Sequence, residues 1–379
     1  MKILQINASY KPAYIYGGPT MSVSKLSEEL TKAGCEVRVY TTNANGAAEL
    51  PIAPNTTQTV DGVGVTYFKR ITKDHSHFSP ALLKAVWCNA GQYEVIHIHA
   101  WWNLVSVLST LIGLIKNVPV VISPRGTLSD YSFGYKNSLF KKLFHNLLGK
   151  LLLNHSFIHV TSPAEEQSLR QVIAPRGIFD IPNFVKIASS AKTKTDDITI
   201  LKLLFFSRID EKKGLDILLH ALALLKVSYH LTIAGDGNDD YIDVLKKIAH
   251  YNKTEQHISW IGFQQDNKFD ILADHDLMVL PSHNENFGNV VIESLSAGTP
   301  VLISDAVGLA NYVAKNNLGW ICHAKPESVA DAISNIALNQ KDKLQQISST
   351  APAIIHIDFD DDKLVQRYIS VYRKIITTK

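Results

Sequence analysis

Residues 277–304 read LMVLPSHNENFGNVVIESLSAGTPVLIS. An apolar run, Leu277–Pro281, ends in a polar loop, and a helical pattern opens near Gly288. Ala297-Gly298-Thr299-Pro300 breaks that pattern, and a second apolar run, Val301–Ser304, follows. Strand, helix, strand is one βαβ unit. Neither strand carries a polar face, as expected when helices cover both sides of a parallel sheet. Upstream, the runs Leu201–Ser207, His230–Ala234 and Ile258–Gly262 extend the same sheet. The first half repeats the alternation in Ile3–Asn7, Val37–Thr41, Val95–His99, Val118–Ser123, Ile158–Thr161 and Ile178–Ile181, with a helical pattern at Thr20–Ala33. The sequence therefore predicts an α/β fold of two Rossmann-like domains facing across a cleft.

Length agrees, since 379 residues are too many for one ordinary core and suit two α/β domains. Ile181-Pro182-Asn183-Phe184 and the polar tract Ser189–Asp197 read as exit strand and linker. The expected division is an acceptor-binding N-terminal domain at 1–185 and a C-terminal domain at 186–361. Residues 362–379 form a helix striped by Leu364, Tyr368, Val371 and Ile375, which crosses back to the N-terminal domain.

Composition excludes several classes. A chain 46% hydrophobic and 19% charged can bury real cores. A net charge of +3 is too small a bias for a nucleic-acid partner, so a bound anion must be held by local geometry. Cys35, Cys88 and Cys322 are odd in number and widely spaced, which argues against disulfides or a zinc site and for a reduced cytoplasmic compartment. The apolar start Met1–Asn7 is too short for a signal peptide or a membrane span.

The chemistry-bearing residues cluster at strand ends, where open α/β sheets bind ligands. After Phe206, the run Ser207-Arg208-Ile209-Asp210-Glu211-Lys212-Lys213-Gly214 turns and opens a helix at Leu215. Arg208 offers a planar fork and Lys213 a point charge beside a helix N-terminus, a combination suited to pyrophosphate. Taken alone, the run also reads as an ordinary solvated turn. Ala234-Gly235-Asp236-Gly237 ends the next strand, and Gly235 allows backbone to approach a ligand. In the opening stretch, Glu285 lies in the loop and Glu293 eight positions on, in the helix. The N–H groups of Phe287, Gly288, Asn289 and Val290 point at the space Glu285 faces. Such a layout puts one carboxylate at a sugar, amides at a diphosphate and the other carboxylate at a ribose diol.

With those residues in place, the chain resembles the retaining glycosyltransferases of family 4, with the GT-B fold, as in bacterial polysaccharide biosynthesis. That family's E-x7-E motif is matched by Glu285 and Glu293, and its phosphate clamp by Arg208, Lys213 and Gly214. Its N-terminal Gly-Gly loop is matched by Gly17-Gly18-Pro19, and its strand-end histidine by His99. The resemblance implies that Arg208 and Lys213 neutralise the leaving diphosphate, Glu293 binds ribose, Glu285 meets a sugar hydroxyl, and His99 lines the sugar site. By itself His99 is an ordinary strand-end histidine. His97 is expected to point to the opposite face. Arg125, in Ser123-Pro124-Arg125-Gly126-Thr127, reads equally as a donor or acceptor contact and as half of a structural salt bridge. The chain departs from the pattern at Gly308-Leu309-Ala310-Asn311, where many relatives are acidic, so Asn311 receives no role.

The implied activity is transfer of a sugar from a nucleotide-sugar to a saccharide or lipid-linked acceptor, with retention at the anomeric carbon and no cofactor. No metal site is expected, because Asp239-Asp240 and Asp360–Asp362 read as a helix start and solvated surface. Two other readings compete: a nucleotide-sugar epimerase of the same fold, which acts on the donor alone, and an inactive glycosyltransferase-like binding subunit. Finally, residues 137–153 carry a wide stripe of Leu139, Phe140, Leu143, Phe144, Leu147, Leu148, Leu151 and Leu152 beside Lys136, Lys141, Lys142 and Lys150. The stripe either packs on the sheet or rests on an anionic bilayer, which would place the enzyme peripherally on the inner face of the plasma membrane.

Overall fold

The structure, a computed structural model, describes residues 1–128, 142–190, 199–264 and 266–378. It divides into two compact units, Met1–Phe184 with Asp361–Lys379, and Val185–Asp360. The C-terminal helix, Asp361–Thr377, thus belongs to the first unit.

The first unit is built on one sheet whose strands follow the order Gly177–Asp180, Phe157–Val160, Val120–Ser123, Val95–His99, Lys2–Ile6, Glu36–Thr42, Val63–Phe68, Thr57–Val60. Neighbours pair in parallel except at the Thr57–Val60 edge, which is antiparallel. Strand order reverses between Lys2–Ile6 and Val95–His99, and ligands of open α/β sheets bind at the carboxyl ends of such a pair. Side chains of the central strand divide between two cores, as a period of two requires. Ile3 joins Val23, Leu26 and Leu30 of the first helix, Gly18–Lys32, and Leu364, Tyr368 and Tyr372 of the last helix. Leu4 and Ile6 join Leu82, Val86 and Val105 from helices on the other face.

The second unit has six parallel strands in the order Ile258–Gly262, Tyr229–Ala234, Leu201–Phe206, Leu277–Leu280, Val301–Ser304, Gly319–Cys322. Counted along the chain, that is the doubly wound order 3-2-1-4-5-6, with its switch point between Leu201–Phe206 and Leu277–Leu280. The loops that follow those two strands carry the clamp and the first carboxylate. The motif helix runs from Asn289 to Ser296 with Gly288 as its N-cap, one residue beyond the start read from the sequence. All three cysteines are free. Among the described residues no helix is long and apolar enough to cross a membrane.

The stripe on the last helix is broader than read, because Val365, Ile369 and Tyr372 are buried as well. Two tyrosines on it reach polar groups under the sheet edge: Tyr372 Oη lies 2.6 Å from His97 Nδ1, and Tyr368 Oη 2.9 Å from His159 Nε2. Both histidines are buried and both are pushed well below the ordinary imidazole range, first by burial, so both are neutral at physiological pH. Tyr372→Phe leaves His97 Nδ1 without that partner. The variant should lose about 1–3 kcal/mol of unfolding free energy in urea titrations while keeping its helical circular-dichroism signal.

Candidate active site

The clamp loop of the second unit is shaped by three local devices. Asp210 caps a short 3-10 turn, Glu211–Lys213, its side chain accepting from Lys212 N at 3.2 Å. Gly214 then takes a left-handed conformation, φ 69°, and starts the helix Leu215–Leu222. A Cβ on Gly214 would sit 2.1 Å from the carbonyl oxygen of Pro281, so only glycine lets the clamp turn approach the end of the neighbouring strand. His283 N donates to Lys212 O at 2.8 Å and joins the two loops.

That approach brings Lys213 Nζ into direct contact with Glu285 Oε2. The lysine is buried, 8% exposed, and burial, with Lys212 and Arg208 adding like charge, pushes its ammonium down to about 7. Asp210 works against that shift. Arg208 is exposed and makes no hydrogen bond or ion pair among the described residues. The edge thus presents one free guanidinium and one half-committed ammonium.

Glu285 owes its place to the turn after Val301–Ser304. Glu285 N donates to Ala306 O at 3.1 Å, and Gly308 N donates to Glu285 O at 2.8 Å. Its side chain lies over the start of the motif helix, with Cγ 3.5 Å from where a Cβ on Gly288 would stand. Phe287 is buried at 3% exposure and packs edge-on against Phe359, so its contribution to a ligand is its backbone alone. Glu293 is buried one turn along the helix, its Oε1 accepting from Lys268 Nζ at 2.8 Å. Gly235 has a use within the fold: a Cβ there would meet Ser207 O at 1.9 Å, so the glycine lets two strand ends touch. Val290 and Asn289 are partly buried in the helix's first turn.

In the first unit, Gly17 caps the first helix with φ 66°, and Pro19 lies within its first turn. His99 is fully buried at the end of Val95–His99, on the other side of the switch point. Its Nε2 lies 2.6 Å from Gln5 Oε1, and Arg125 Nε donates to its Nδ1 at 3.4 Å. Burial and His97 hold the ring well below its usual range, so it is neutral with both nitrogens engaged. His97 does not point to the opposite face: the two rings are 4.2 Å apart, because residues two apart on a strand share a face. Arg125 forms no salt bridge among the described residues. Its Nη1 donates to Ser22 Oγ at 2.9 Å and to Asn183 Oδ1 at 2.8 Å, and its own φ is 53°. The guanidinium therefore stands among neutral acceptors at the sheet's carboxyl edge.

Sequence reasoning missed Gln5, Lys268, the Ala306–Gly308 turn and the His97–Ser123–His159 chain, in which Ser123 Oγ lies 2.6 Å from each histidine. The periodic patterns place Gln5, His97, Ser123 and His159 on strands without saying what they touch, and only the contacts between distant elements reveal their partners. Among the described residues no group of three His, Cys, Asp or Glu side chains converges as a metal site.

Comparison with known proteins agrees with this geometry. The family description "Glycosyltransferase Family 4" matches residues 16–189, and "Glycosyl transferases group 1" matches residues 190–353. An uncharacterised glycosyltransferase of Methanocaldococcus jannaschii is 24% identical over 98% of both chains. Among solved structures, sucrose-phosphate synthase from Thermosynechococcus elongatus superposes with a TM-score of 0.77 at 18% identity over 100% of both chains. HepE from Anabaena, solved in complex with UDP-glucose, gives 0.75 at 21% identity over 99% of this chain and 100% of its own. The two family matches adjoin, one on each Rossmann-like unit, and the chain belongs to the family 4 glycosyltransferases of the GT-B fold.

Proposed function

We propose that the second unit binds the nucleotide-sugar donor at its switch point and that the chain transfers the sugar with retention of anomeric configuration. The observation that supports this best is the contact of Lys213 with Glu285 beside Gly288, which gathers a cation, a carboxylate and a helix N-terminus at one sheet edge. In this reading the diphosphate takes Lys213 and the free Arg208, Glu285 turns to a sugar hydroxyl, and Glu293 accepts from the ribose. A UDP-sugar is the first donor to test, since HepE was solved with UDP-glucose.

The bond from the anomeric carbon to the diphosphate breaks while the acceptor oxygen joins the same face. The acceptor's hydroxyl proton passes to the departing phosphate. The main demand on the protein is to stabilise negative charge on the leaving group, which prearranged cations and helix amides do well. We assign that task to Arg208, Lys213 and the first turn of Asn289–Ser296, with no divalent metal and no cofactor. The first unit takes the acceptor, a saccharide or a lipid-linked saccharide of cell-surface polysaccharide biosynthesis. Arg125, without a carboxylate partner, faces it. His99, held by Gln5 and Arg125, contributes a neutral wall to the sugar site and carries no proton.

Two further observations bear on location. Within the described part of the sequence stripe, Leu143, Leu147 and Leu151 are 59%, 73% and 55% exposed, whereas Leu152 is buried, as is Leu153 beside it. Lys142 and Lys150 are exposed beside them. Lys136, Leu139, Phe140 and Lys141 lie outside the described residues. One row of leucines therefore packs on the sheet and another faces out, which supports peripheral contact with an anionic bilayer on the cytoplasmic side.

Arg208→Ala and Lys213→Ala should each lower kcat/KM by about a hundredfold or more, roughly 2–4 kcal/mol of lost leaving-group stabilisation, with the melting temperature little changed in Arg208→Ala and lowered in Lys213→Ala, which leaves Glu285 without its partner. Turnover of the unmodified chain should survive a chelator, and anomeric retention should be visible by NMR of the product. The pH dependence follows from Lys213. A bound diphosphate favours the charged ammonium, whose value in the free chain is down at about 7, so binding above that pH takes up a proton. Affinity for UDP should thus weaken by up to about tenfold per unit as pH rises above 7. Titration calorimetry in two buffers reads the proton uptake, and Lys213→Arg should flatten the profile. Lys142→Glu combined with Lys150→Glu should keep the fold and lose binding to phosphatidylglycerol vesicles at low salt, measured by sedimentation.

A further inference from the structure

Glu293 stands in an awkward place for a carboxylate. Its helix neighbours Val291, Ile292 and Leu295 are fully buried, and Glu293 itself is 8% exposed. A charge so placed needs a partner. It has one: Lys268 Nζ donates to Oε1 at 2.8 Å, and no other hydrogen bond reaches the carboxylate among the described residues. Lys268 is held in turn from another side. Its ammonium lies over the ring of Phe206, 5.6 Å from the centroid, and Phe206 ends the strand that leads into Arg208. The lysine is thus fixed between the strand of the clamp and the carboxylate of the motif helix, and it leaves Oε2 unclaimed.

We propose that Lys268 is a positioning residue for the donor nucleoside: by tying down Oε1 it presents Oε2 of Glu293 as a fixed acceptor for a ribose hydroxyl and so makes the site demand a ribonucleotide. This rests on the assignment of Glu293 to the ribose. Without the lysine, a carboxylate among apolar side chains has no partner and swings toward water. That removes the fixed acceptor while leaving the phosphate contacts in place. A fixed acceptor penalises a ligand lacking the hydroxyl, because the buried group then stays unpaired.

The experiment is titration calorimetry on the full chain with uridine, guanosine and adenosine diphosphates, carrying the tightest forward beside its 2′,3′-dideoxy form and inorganic pyrophosphate. The unmodified chain should prefer the ribonucleotide by roughly 10–100-fold, the range of a hydrogen bond to a charged group. Lys268→Met, which keeps the stem over Phe206, should reduce that ratio to within about threefold and leave pyrophosphate affinity unchanged, and Lys268→Arg should restore most of the ratio. In the assay of transfer, Lys268→Met should raise the donor KM with kcat nearly intact. Glu293→Gln separates the two claims. If it leaves the ratio intact, or if no diphosphate binds the unmodified chain, the ribose assignment itself fails. If it abolishes the ratio while Lys268→Met keeps it, only the positioning role is overturned. A loss of pyrophosphate affinity in Lys268→Met as large as the loss of nucleotide affinity also overturns that role, since it would mark a general effect of charge.

Discussion

Much of the second unit's active edge depends on burying a lysine and a glutamate against each other. Neither Lys213 nor Glu285 is stable there alone, since an unpaired charge taken out of water costs several kcal/mol. The pairing is possible only because Gly214 lets the clamp turn touch Pro281. The arrangement of the edge follows: the loops after two adjacent strands are locked together, the helix Asn289–Ser296 starts beside them, and Arg208 is left unpaired at the rim. A pair held by proximity and mutual need can exchange partners when a stronger anion arrives. The contact thus stabilises the edge, and in the function proposed above it releases both groups to the donor.

The first unit meets a different demand. Its sheet edge carries a neutral polar chain, in which His97, Ser123 and His159 bond to one another and to two tyrosines of the C-terminal helix. Neutral imidazoles can be satisfied by hydroxyls, and Arg125 donates to neutral side chains there, while the nearby buried carboxylate of Glu165 accepts from the backbone N–H groups of Gly126 and Thr161. The second unit's edge relies on opposite charges, and the first unit's on hydrogen bonds.

Legibility differed between these two edges for a physical reason. Strand ends in a parallel sheet are marked in sequence by a change from apolar to polar residues, so Arg208, Lys213 and Glu285 could be assigned to edges from one chain, and Glu293 to the helix that follows. The glycines were legible as glycines but not in purpose, since Gly235 serves a neighbouring carbonyl and that carbonyl is near only in three dimensions. Val63–Phe68 was overlooked although Asp61-Gly62, both with positive φ, is a hairpin signal that precedes it. Gly319–Cys322 gave little warning, because a strand of four residues opening with glycine has hardly any pattern to read. The histidine chain was out of reach altogether: its members come from three strands and a helix more than two hundred residues away, and nothing local joins them.

The Ala306–Gly308 turn that grips the main chain of Glu285 is assigned no ligand contact, yet it sets where that carboxylate stands. Its last residue, Gly308, also opens Gly308-Leu309-Ala310-Asn311, the stretch read from the sequence as a departure from the family pattern. A small shift of this turn would carry the carboxylate with it while leaving the lysine, the helix and the sheet as they are. Where Glu285 meets the donor sugar as proposed above, descendants of such a protein can drift from one sugar to another through changes at residues that are never in contact with it. Comparing only contact residues among relatives would then miss the origin of their differing preferences.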